Sequence, residues 1–369
     1  MRALVWHWGR RGAGPIIAAR LTEAINALPG HQALLSLPET AEIFLGGDAQ
    51  DCVWREPTYE THLGYLAQWL SGPLRRRPTR RHLSALRPDI AICAMPALLD
   101  SRMLAGLRAL GVPYAVIVHD ATAHPGDWLS FRMLGQKQLW RGASHVFCLT
   151  SHVEKALRAQ GVGRGEQGLT RLWLPPIGMS VPPPRKVSGA PRLLHFGRLL
   201  PYKGLDLLVE ALELLGPERD FELRVCGAGP DSPVLRQLAA MRGVTVENRW
   251  FGDDELPALL GWADALVLPY REASQSGVAA LGIAAGRAVL ATNVGGLSEQ
   301  LSNVPGAILC TPDAPAIAEG LRVLSAQLLL GSPQLPAATA ATAAPGWQAL
   351  AAAMLSALDG KKEEAAAFV

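Results

Sequence analysis

The segment RLLHFGRLLPYKGLDLLVEALELLGPERDFELRVCG (192–227) contains two short apolar runs on either side of a longer stretch with apolar residues at helical spacing. RLLHFG and FELRVCG have the length and apolar continuity of buried strands, whereas KGLDLLVEALELLG has the period of a helix and ends at Gly216. This order predicts one βαβ unit, in which two parallel strands are covered by the helix between them.

The same alternation extends in both directions along the chain. Downstream, VTVEN, ALVLPY and AVLATNVGG predict strands separated by helices, and upstream MRALVWHW, DIAICAM, YAVIVHD and SHVFCLT do the same. We therefore predict an α/β protein with two doubly wound, Rossmann-like domains that face each other across a cleft.

Pro and Gly are dense in LPPIGMSVPPPRKVSGAP (174–191), which indicates a linker. We expect an N-terminal domain at 1–180, a C-terminal domain at 190–340 and a last helix within 346–369. The Ala/Thr/Pro-rich segment 332–345 has the composition of a disordered stretch.

Composition excludes several classes of protein. The chain has 369 residues, of which 49% are hydrophobic and 18% charged, so it is not disordered as a whole. A net charge of +3 is too small to indicate a nucleic-acid partner. The five cysteines lack the spacing of a zinc site, and no signal peptide or transmembrane segment is recognised, so we expect a cytoplasmic protein.

Two cations flank the turn after the first strand of the βαβ unit. Gly197 permits a sharp turn, and Arg198 and Lys203 lie on either side of the start of the next helix. Fixed cations beside free helix N–H groups are suited to binding a diphosphate. Two solvated side chains near a turn are the alternative.

A second polar segment follows the strand that ends at Pro269 and Tyr270. It leads into Gly277, where a helix of small residues begins, and small residues let a ligand approach a helix N-terminus. The polar residues of this loop are Glu272, Ser274, Gln275 and Ser276. Ordinary N-capping is the alternative role for each serine.

Four segments in this half resemble one family in their sequence and order. GRLLPYKG, CGAGP, DDELPALLGWADALVLPY and GVAALGIAAGRAVLATNVGGLSE are similar to motifs of the retaining glycosyltransferases of family 4, which have the GT-B fold. Over roughly 190–305 the resemblance rests on sequence motifs, and elsewhere it rests only on the order of predicted strands and helices. It implies a nucleotide diphosphate sugar as donor, held mainly by the C-terminal domain, and a last helix that packs back on the N-terminal domain.

The resemblance also implies roles for individual residues. It assigns Arg198 and Lys203 to the diphosphate, and it makes Glu272 a candidate donor-site carboxylate. The residues predicted to take part in catalysis are His119, Arg198, Lys203 and Glu272. The donor-binding positions are Gly197, Arg198, Lys203, Gly227, Ser274, Gln275, Ser276, Gly277, Val278 and Glu299.

One departure from the family concerns its second glutamate. Family members usually carry two glutamates eight positions apart, and the second contacts the ribose hydroxyls. Here that position falls on Leu281 or Gly282, and the first falls near Ala273 or Ser274. The motif SQSG is typical of a subgroup in which ribose recognition must differ.

In the N-terminal half, VIVHDATAHPGDW (116–128) places polar side chains after a buried strand. His119 matches a histidine that the family commonly places near the donor sugar. The acceptor-side residues are predicted to be Gly12, Gly14, Asp120 and His124. A metal bound by this His–Asp loop is the alternative, but further ligands are not evident, so we expect neither a metal nor another cofactor.

The segment WLSGPLRRRPTRRHLSALRPD (69–89) is strongly basic. We predict a peripheral contact with anionic membrane through Arg75, Arg76, Arg77, Arg80 and Arg81, in which Trp69, Leu70, Leu74 and Leu83 enter the interface. A solvated loop is one alternative, and direct binding of an anionic acceptor is another.

Together these features predict transfer of a sugar, with retention, to a glycan or lipid-linked acceptor in cell-surface or exopolysaccharide synthesis. Two alternatives stay open. One is a non-catalytic partner protein that binds a nucleotide or glycan, and the other is a nucleotide-sugar epimerase on the same fold.

Overall fold

The structure, a computed structural model, describes residues 1–45, 49, 51–59, 61, 64–65, 67–68, 72–123, 130–331 and 340–366. These residues divide into two compact units. The first comprises the described residues up to 175 together with those from 344 onward, and the second comprises the described residues between 176 and 343.

The first unit is a seven-stranded sheet with helices. Its strands are β1 (Arg2–Trp6), β2 (Gln32–Pro38), β3 (Trp54–Glu56), β4 (Ile90–Cys93), β5 (Tyr114–Val118), β6 (His145–Cys148) and β7 (Gly168–Arg171). Its helices are α1 (Ala13–Asn26), α2 (Gly72–Leu86), α3 (Asp100–Leu110), α4 (Ser130–Arg141) and α5 (Ser151–Ala159).

All pairings in this sheet are parallel, in the order β3-β2-β1-β4-β5-β6-β7. Strand β1 pairs with both β2 and β4, so the order reverses beside it. Ligands of open α/β sheets bind at the carboxyl ends of strands at such a switch point. The residues that follow β1, β4 and β5 therefore lie where a ligand is expected.

The core of this unit contains tryptophans with satisfied indole N–H groups. Trp6 Nε1 donates to Asp100 Oδ1 at 3.0 Å, and Trp8 Nε1 donates to Ser36 Oγ at 3.0 Å. Both tryptophans are at most 1% exposed. Buried aromatic residues supply a large apolar area, and these hydrogen bonds remove the penalty of burying their polar atoms.

The second unit follows the same plan. Its strands are β8 (Arg192–Phe196), β9 (Glu222–Gly227), β10 (Val244–Asn248), β11 (Ala265–Leu268), β12 (Ala288–Thr292) and β13 (Ala307–Cys310). Its helices are α6 (Leu205–Leu215), α7 (Pro233–Ala240), α8 (Leu256–Trp262), α9 (Gly277–Ala284), α10 (Gly295–Leu301) and α11 (Ala314–Leu329). The last described helix, α12 (Ala340–Ala366), belongs from residue 344 onward to the first unit.

The second sheet is also parallel, in the order β10-β9-β8-β11-β12-β13. Its switch point lies between β8 and β11, so the segments after Phe196 and Leu268 meet at one edge. The prediction of two doubly wound, Rossmann-like sheets is confirmed.

Two segments differ from their sequence-based interpretation. Residues 72–86, considered as a loop, form helix α2 with Pro78 inside it, and the side chain of Leu83 is fully buried. Leu83 is therefore a core residue and cannot enter a membrane interface. Residues 340–345, considered disordered, begin helix α12, in which Pro345 lies near the N-terminus.

The Pro-rich segment before β8 is anchored to the second unit. Arg287, which is 2% exposed, donates from Nη2 to the Pro182 carbonyl oxygen at 2.6 Å and from Nε to the Leu260 carbonyl oxygen at 2.9 Å. Arg185 pairs with the buried carboxylate of Asp264 at 2.6 Å. These contacts hold the segment against the end of the sheet opposite to the switch-point loops.

Candidate functional site

Glycines bring the loops after β8 and β9 into direct backbone contact. The Gly197 N–H donates to the Cys226 carbonyl oxygen at 3.1 Å, and the Leu199 N–H donates to that of Ala228 at 3.0 Å. Gly227 has φ +148°, and a Cβ there would collide with the Gly197 carbonyl oxygen. Where the two loops leave their strands, their backbones are therefore in direct contact, with no side chain between them.

The two predicted cations converge on one tyrosine. Arg198 Nη2 donates to Tyr202 Oη at 2.7 Å, and Lys203 Nζ lies 5.0 Å from the centroid of the Tyr202 ring. Lys203 Nζ also lies 3.6 Å from the centroid of the Tyr270 ring, which comes from the loop after β11. The structure thus brings Arg198 and Lys203 together at the carboxyl edge of the second sheet.

A close backbone approach positions Lys203. The residue ends a short 3₁₀ helix, Pro201–Lys203, and is followed by Gly204 with φ +66°. A Cβ at Gly204 would collide with the Pro269 carbonyl oxygen. Only glycine fits this turn, which directs Lys203 toward the end of β11.

Ser276 serves as the N-cap of α9. Its Oγ accepts a hydrogen bond from the Ala279 N–H at 3.1 Å. Its own N–H donates to Gln300 Oε1 at 3.0 Å, and Gln300 Nε2 donates to the Ser276 carbonyl oxygen at 2.9 Å. The capping role considered for this serine is therefore the one the structure shows, and Gln300 of α10 holds the helix start in place.

The other loop residues differ in exposure. Ser274 is buried, Gln275 is half-buried and Glu272 is exposed. The Glu272 N–H lies 3.4 Å from the Tyr202 carbonyl oxygen, so this loop continues from the edge that holds the cations. Val278 reaches Gly197, since a Cβ there would lie 3.4 Å from Val278 Cγ2, whereas Glu299 is exposed on α10.

Packing explains why no acidic side chain occupies position 282. Gly282 faces β11, and a Cβ there would clash with Leu266 Cδ1. Leu281, the other candidate position, is only 7% exposed. The departure from the family pattern thus coincides with close contact between α9 and the sheet.

His195 is fully buried beneath this edge. Its Nδ1–H donates to the Val267 carbonyl oxygen at 3.0 Å, and its ring lies edge to face with that of Tyr270 at 6.3 Å. Burial, and then the nearby charge of Lys203, lower the pKa of His195 to about 4. The imidazole is therefore neutral at physiological pH.

This pKa predicts an acid-dependent loss of stability. Because the folded-state pKa lies below the usual 6.5, the unfolded chain binds the proton more tightly, and stability present above pH 6.5 is lost as pH falls toward about 4. We expect His195 to contribute up to about 3 kcal/mol to this loss.

Measurement of the unfolding free energy against pH tests this expectation. His195→Asn retains an amide donor for Val267 but does not titrate, so its profile should be flatter over this range than that of the unmodified protein. The matched control is His152→Asn, which alters an exposed histidine and should leave the profile unchanged. Parallel profiles for His195→Asn and the unmodified protein would exclude His195 as a source of the slope.

Two histidines lie at the carboxyl edge of the first sheet. His119 Nε2–H donates to the Ala94 carbonyl oxygen at 3.0 Å, and His7 Nδ1–H donates to that of Met95 at 2.7 Å. Both rings are buried, and burial lowers the pKa of His119. His7 was not among the residues predicted for the site, although its position directly after β1 and two residues before Gly9 was the available signal.

The predicted glycine loop packs around His7. A Cβ at Gly14, or at Gly9, would collide with the His7 imidazole. Gly12 has φ +79° and precedes the first residue of α1. Asp120 is half-buried next to His119, and His124 lies outside the described residues.

The basic segment is only partly described. Arg77, Arg80 and Arg81 are exposed on α2, while the side chains of Arg75, Arg76 and Leu74 and the positions of Trp69 and Leu70 lie outside the description. His82 of the same helix stacks on Trp54 with 5.0 Å between ring centroids.

Within the described ranges, no group of three or more His, Cys, Asp or Glu residues is arranged to hold a metal ion. Among the helices of the described chain, none combines the length and apolar character needed to cross a bilayer. Metal-independent chemistry stays a prediction.

Known proteins resemble this chain in sequence and in fold. The family model "Glycosyl transferases group 1" matches residues 190–327, and "Glycosyl transferase 4-like domain" matches residues 12–173. The 2-deoxystreptamine glucosyltransferase of Streptomyces kanamyceticus is 28% identical over 234 residues, which are 56% of this chain and 59% of that enzyme. The matched part thus spans about three fifths of this curated relative.

Two solved structures cover nearly the whole of both chains. Sucrose-phosphate synthase from Thermosynechococcus elongatus has a TM-score of 0.64 at 16% identity, and covers 100% of this chain and 99% of its own. Anabaena HepE in complex with UDP has a TM-score of 0.64 at 18% identity, with the same coverage. At these identities the likeness shows the fold, and the predicted GT-B fold is confirmed. One glycosyltransferase family model matches each of the two units, so the chain is similar to glycosyltransferases in both of them.

Proposed function

We propose that this protein transfers a glycosyl group from a nucleoside diphosphate sugar to a glycan or lipid-linked acceptor, with retention of anomeric configuration. The observation that carries the proposal is the convergence of Arg198 and Lys203 on Tyr202 at the switch point of the second sheet. The two glycosyltransferase family models that match the chain support the same class of reaction.

The chemistry requires stabilisation of a departing diphosphate. As the bond between the sugar and the diphosphate breaks, negative charge grows on the phosphate oxygens. A guanidinium and an ammonium held at the strand ends stabilise that charge without being reorganised during the reaction. The capped N-terminus of α9 adds N–H groups on the same edge, since Val278 lies against Gly197.

The remaining roles complete this proposal. His119 positions the donor sugar, and Glu272 supplies a donor-site carboxylate. The acceptor hydroxyl attacks from the face that the diphosphate leaves, and a departing phosphate oxygen takes its proton, so retention needs no covalent sugar–enzyme intermediate. Closure around the donor excludes water, which would otherwise hydrolyse it.

We propose the donor and the acceptor as chemical classes and not as single compounds. HepE has been crystallised with UDP, which makes uridine diphosphate sugars the first donors to test. We place the acceptor in cell-surface or exopolysaccharide synthesis. Arg77, Arg80 and Arg81 lie exposed on α2 and would bring the protein to anionic lipid on the inner face of the membrane, where a lipid-linked acceptor resides.

A donor and acceptor panel tests the proposal. The purified protein is incubated with UDP-, GDP- and ADP-sugars and a bacterial glycolipid extract, and NMR follows donor loss and the configuration of the new linkage. We expect sugar transfer with the donor's anomeric configuration retained. Binding without sugar loss on long incubation would support a non-catalytic partner protein, and conversion of the donor without an acceptor would support an epimerase.

A further inference from the structure

Two aromatic rings lie against the ammonium of Lys203. Its ammonium lies 3.6 Å from the centroid of the Tyr270 ring and 5.0 Å from that of Tyr202. Lys203 is 9% exposed, Tyr202 is 4% exposed and Tyr270 is fully buried. A cation over the face of an aromatic ring is attracted by the ring's negative face, and the attraction strengthens where water is excluded.

Hydrogen bonds anchor the two segments that carry these rings. The Arg271 N–H donates to the Tyr202 carbonyl oxygen at 2.8 Å, which ties the 3₁₀ helix to the loop after β11. Thr292 Oγ1–H donates to the Tyr270 carbonyl oxygen at 2.5 Å, which ties the same loop to β12. The loop that carries Tyr270 is therefore anchored on both sides, and its fully buried ring offers a face to the ammonium.

An aromatic ring holds a cation differently from a carboxylate. A carboxylate would bring a negative charge that repels an incoming diphosphate, whereas a ring face orients the ammonium and adds no net charge. The neutral imidazole of His195 lies at the edge of the Tyr270 ring, so it adds no charge at this position either.

We propose that Tyr270 is a positioning residue for Lys203: its ring face sets the place of the ammonium that binds the diphosphate, although the ring acts only through the lysine. This inference rests on the proposed role of Lys203 in donor binding. It makes diphosphate affinity depend on the aromatic face at position 270 and not on the hydroxyl group there.

Comparison of Tyr270→Phe with Tyr270→Leu tests the inference, since only the first retains the ring. Calorimetry measures the affinity of each variant for UDP, for uridine and for inorganic pyrophosphate. We expect Tyr270→Leu to bind UDP and pyrophosphate about tenfold more weakly than Tyr270→Phe does, with uridine affinity unchanged. In a Lys203→Ala background the difference between the two variants should disappear.

A measurement without ligand separates this inference from the proposed function. The chain contains six lysines, namely Lys137, Lys155, Lys186, Lys203, Lys361 and Lys362. In protein labelled with carbon-13 lysine, the Hε signal of Lys203, assigned with Lys203→Arg, should be shifted upfield by the ring. The shift should persist in Tyr270→Phe and vanish in Tyr270→Leu.

The possible outcomes are distinct. Equal affinities of the Phe and Leu variants for UDP and pyrophosphate, or an unshifted Lys203 signal, would overturn the inference. A shifted signal in a protein that binds no nucleoside diphosphate and no pyrophosphate would contradict the proposed function, and the positioning role with it. If Tyr270→Leu does not fold, pentafluorophenylalanine at position 270 keeps the ring shape, reverses the charge of its face and should weaken diphosphate binding to a similar extent.

Discussion

Lys203→Ala and Arg198→Ala are each expected to lower the kcat/KM of sugar transfer by about 10²- to 10³-fold, the range typical for removal of one group that stabilises charge in a transition state. The reason is the convergence of the two cations on Tyr202 at the edge where the predicted diphosphate binds. Neither change removes an apolar side chain of the core, so the fold should persist.

Steady-state kinetics with the donor identified by the panel, together with circular dichroism, measures this effect. Arg322→Ala is the matched control, because it removes an exposed arginine that pairs with Glu319 on α11. It should leave kcat/KM within about twofold, as surface changes away from a site usually do. Near-normal turnover in both Lys203→Ala and Arg198→Ala would reject the assignment of the diphosphate site.

Gly227→Ala is expected to destabilise the second unit by about 4 kcal/mol, the sum of backbone strain and a steric clash. Gly227 has φ +148°, and its added Cβ would collide with the Gly197 carbonyl oxygen. That collision would separate the loops after β8 and β9, so nucleotide binding should be lost in any fraction that still folds.

A variant at a second glycine distinguishes backbone strain from the steric clash. Gly216 has φ +75° and ψ −177°, but a Cβ there would have no neighbour within 4 Å, so Gly216→Ala should cost only the backbone strain of about 2 kcal/mol. Urea unfolding followed by tryptophan fluorescence compares the two variants. A loss in Gly227→Ala no larger than that in Gly216→Ala would show that the two loops are not in close contact.

Much of the second unit could be predicted from the sequence because its signals are local. The strand that ends at Phe196 and the helix that ends at Gly216 lie where apolar period and glycine position indicate, and α9 begins at Gly277 as predicted. A buried parallel strand needs continuous apolar residues, and a helix end favours glycine, so both features are visible in a short window.

Other features depend on partners that are distant in the chain. From the sequence, Ser276 could either cap a helix or face a ligand. Its hydrogen bonds with Gln300 and with the Ala279 N–H show the capping role. A solvated loop was one alternative for the basic segment, yet the segment forms α2, Leu83 is buried in the core and His82 stacks on Trp54. The packing of α2 against the unit overrides its weak local preference.

By itself, the sequence determined the alternation of strands and helices, the division into two doubly wound halves and the presence of two cations beside a glycine turn. Each of these follows from residue type and spacing within one segment. Tertiary structure alone decided that Tyr270 lies under the ammonium of Lys203, that His7 packs against Gly9 and Gly14, and that Gly227 closes on Gly197. Such contacts join separate strands, and their geometry is set by strand order and register, which no local pattern encodes.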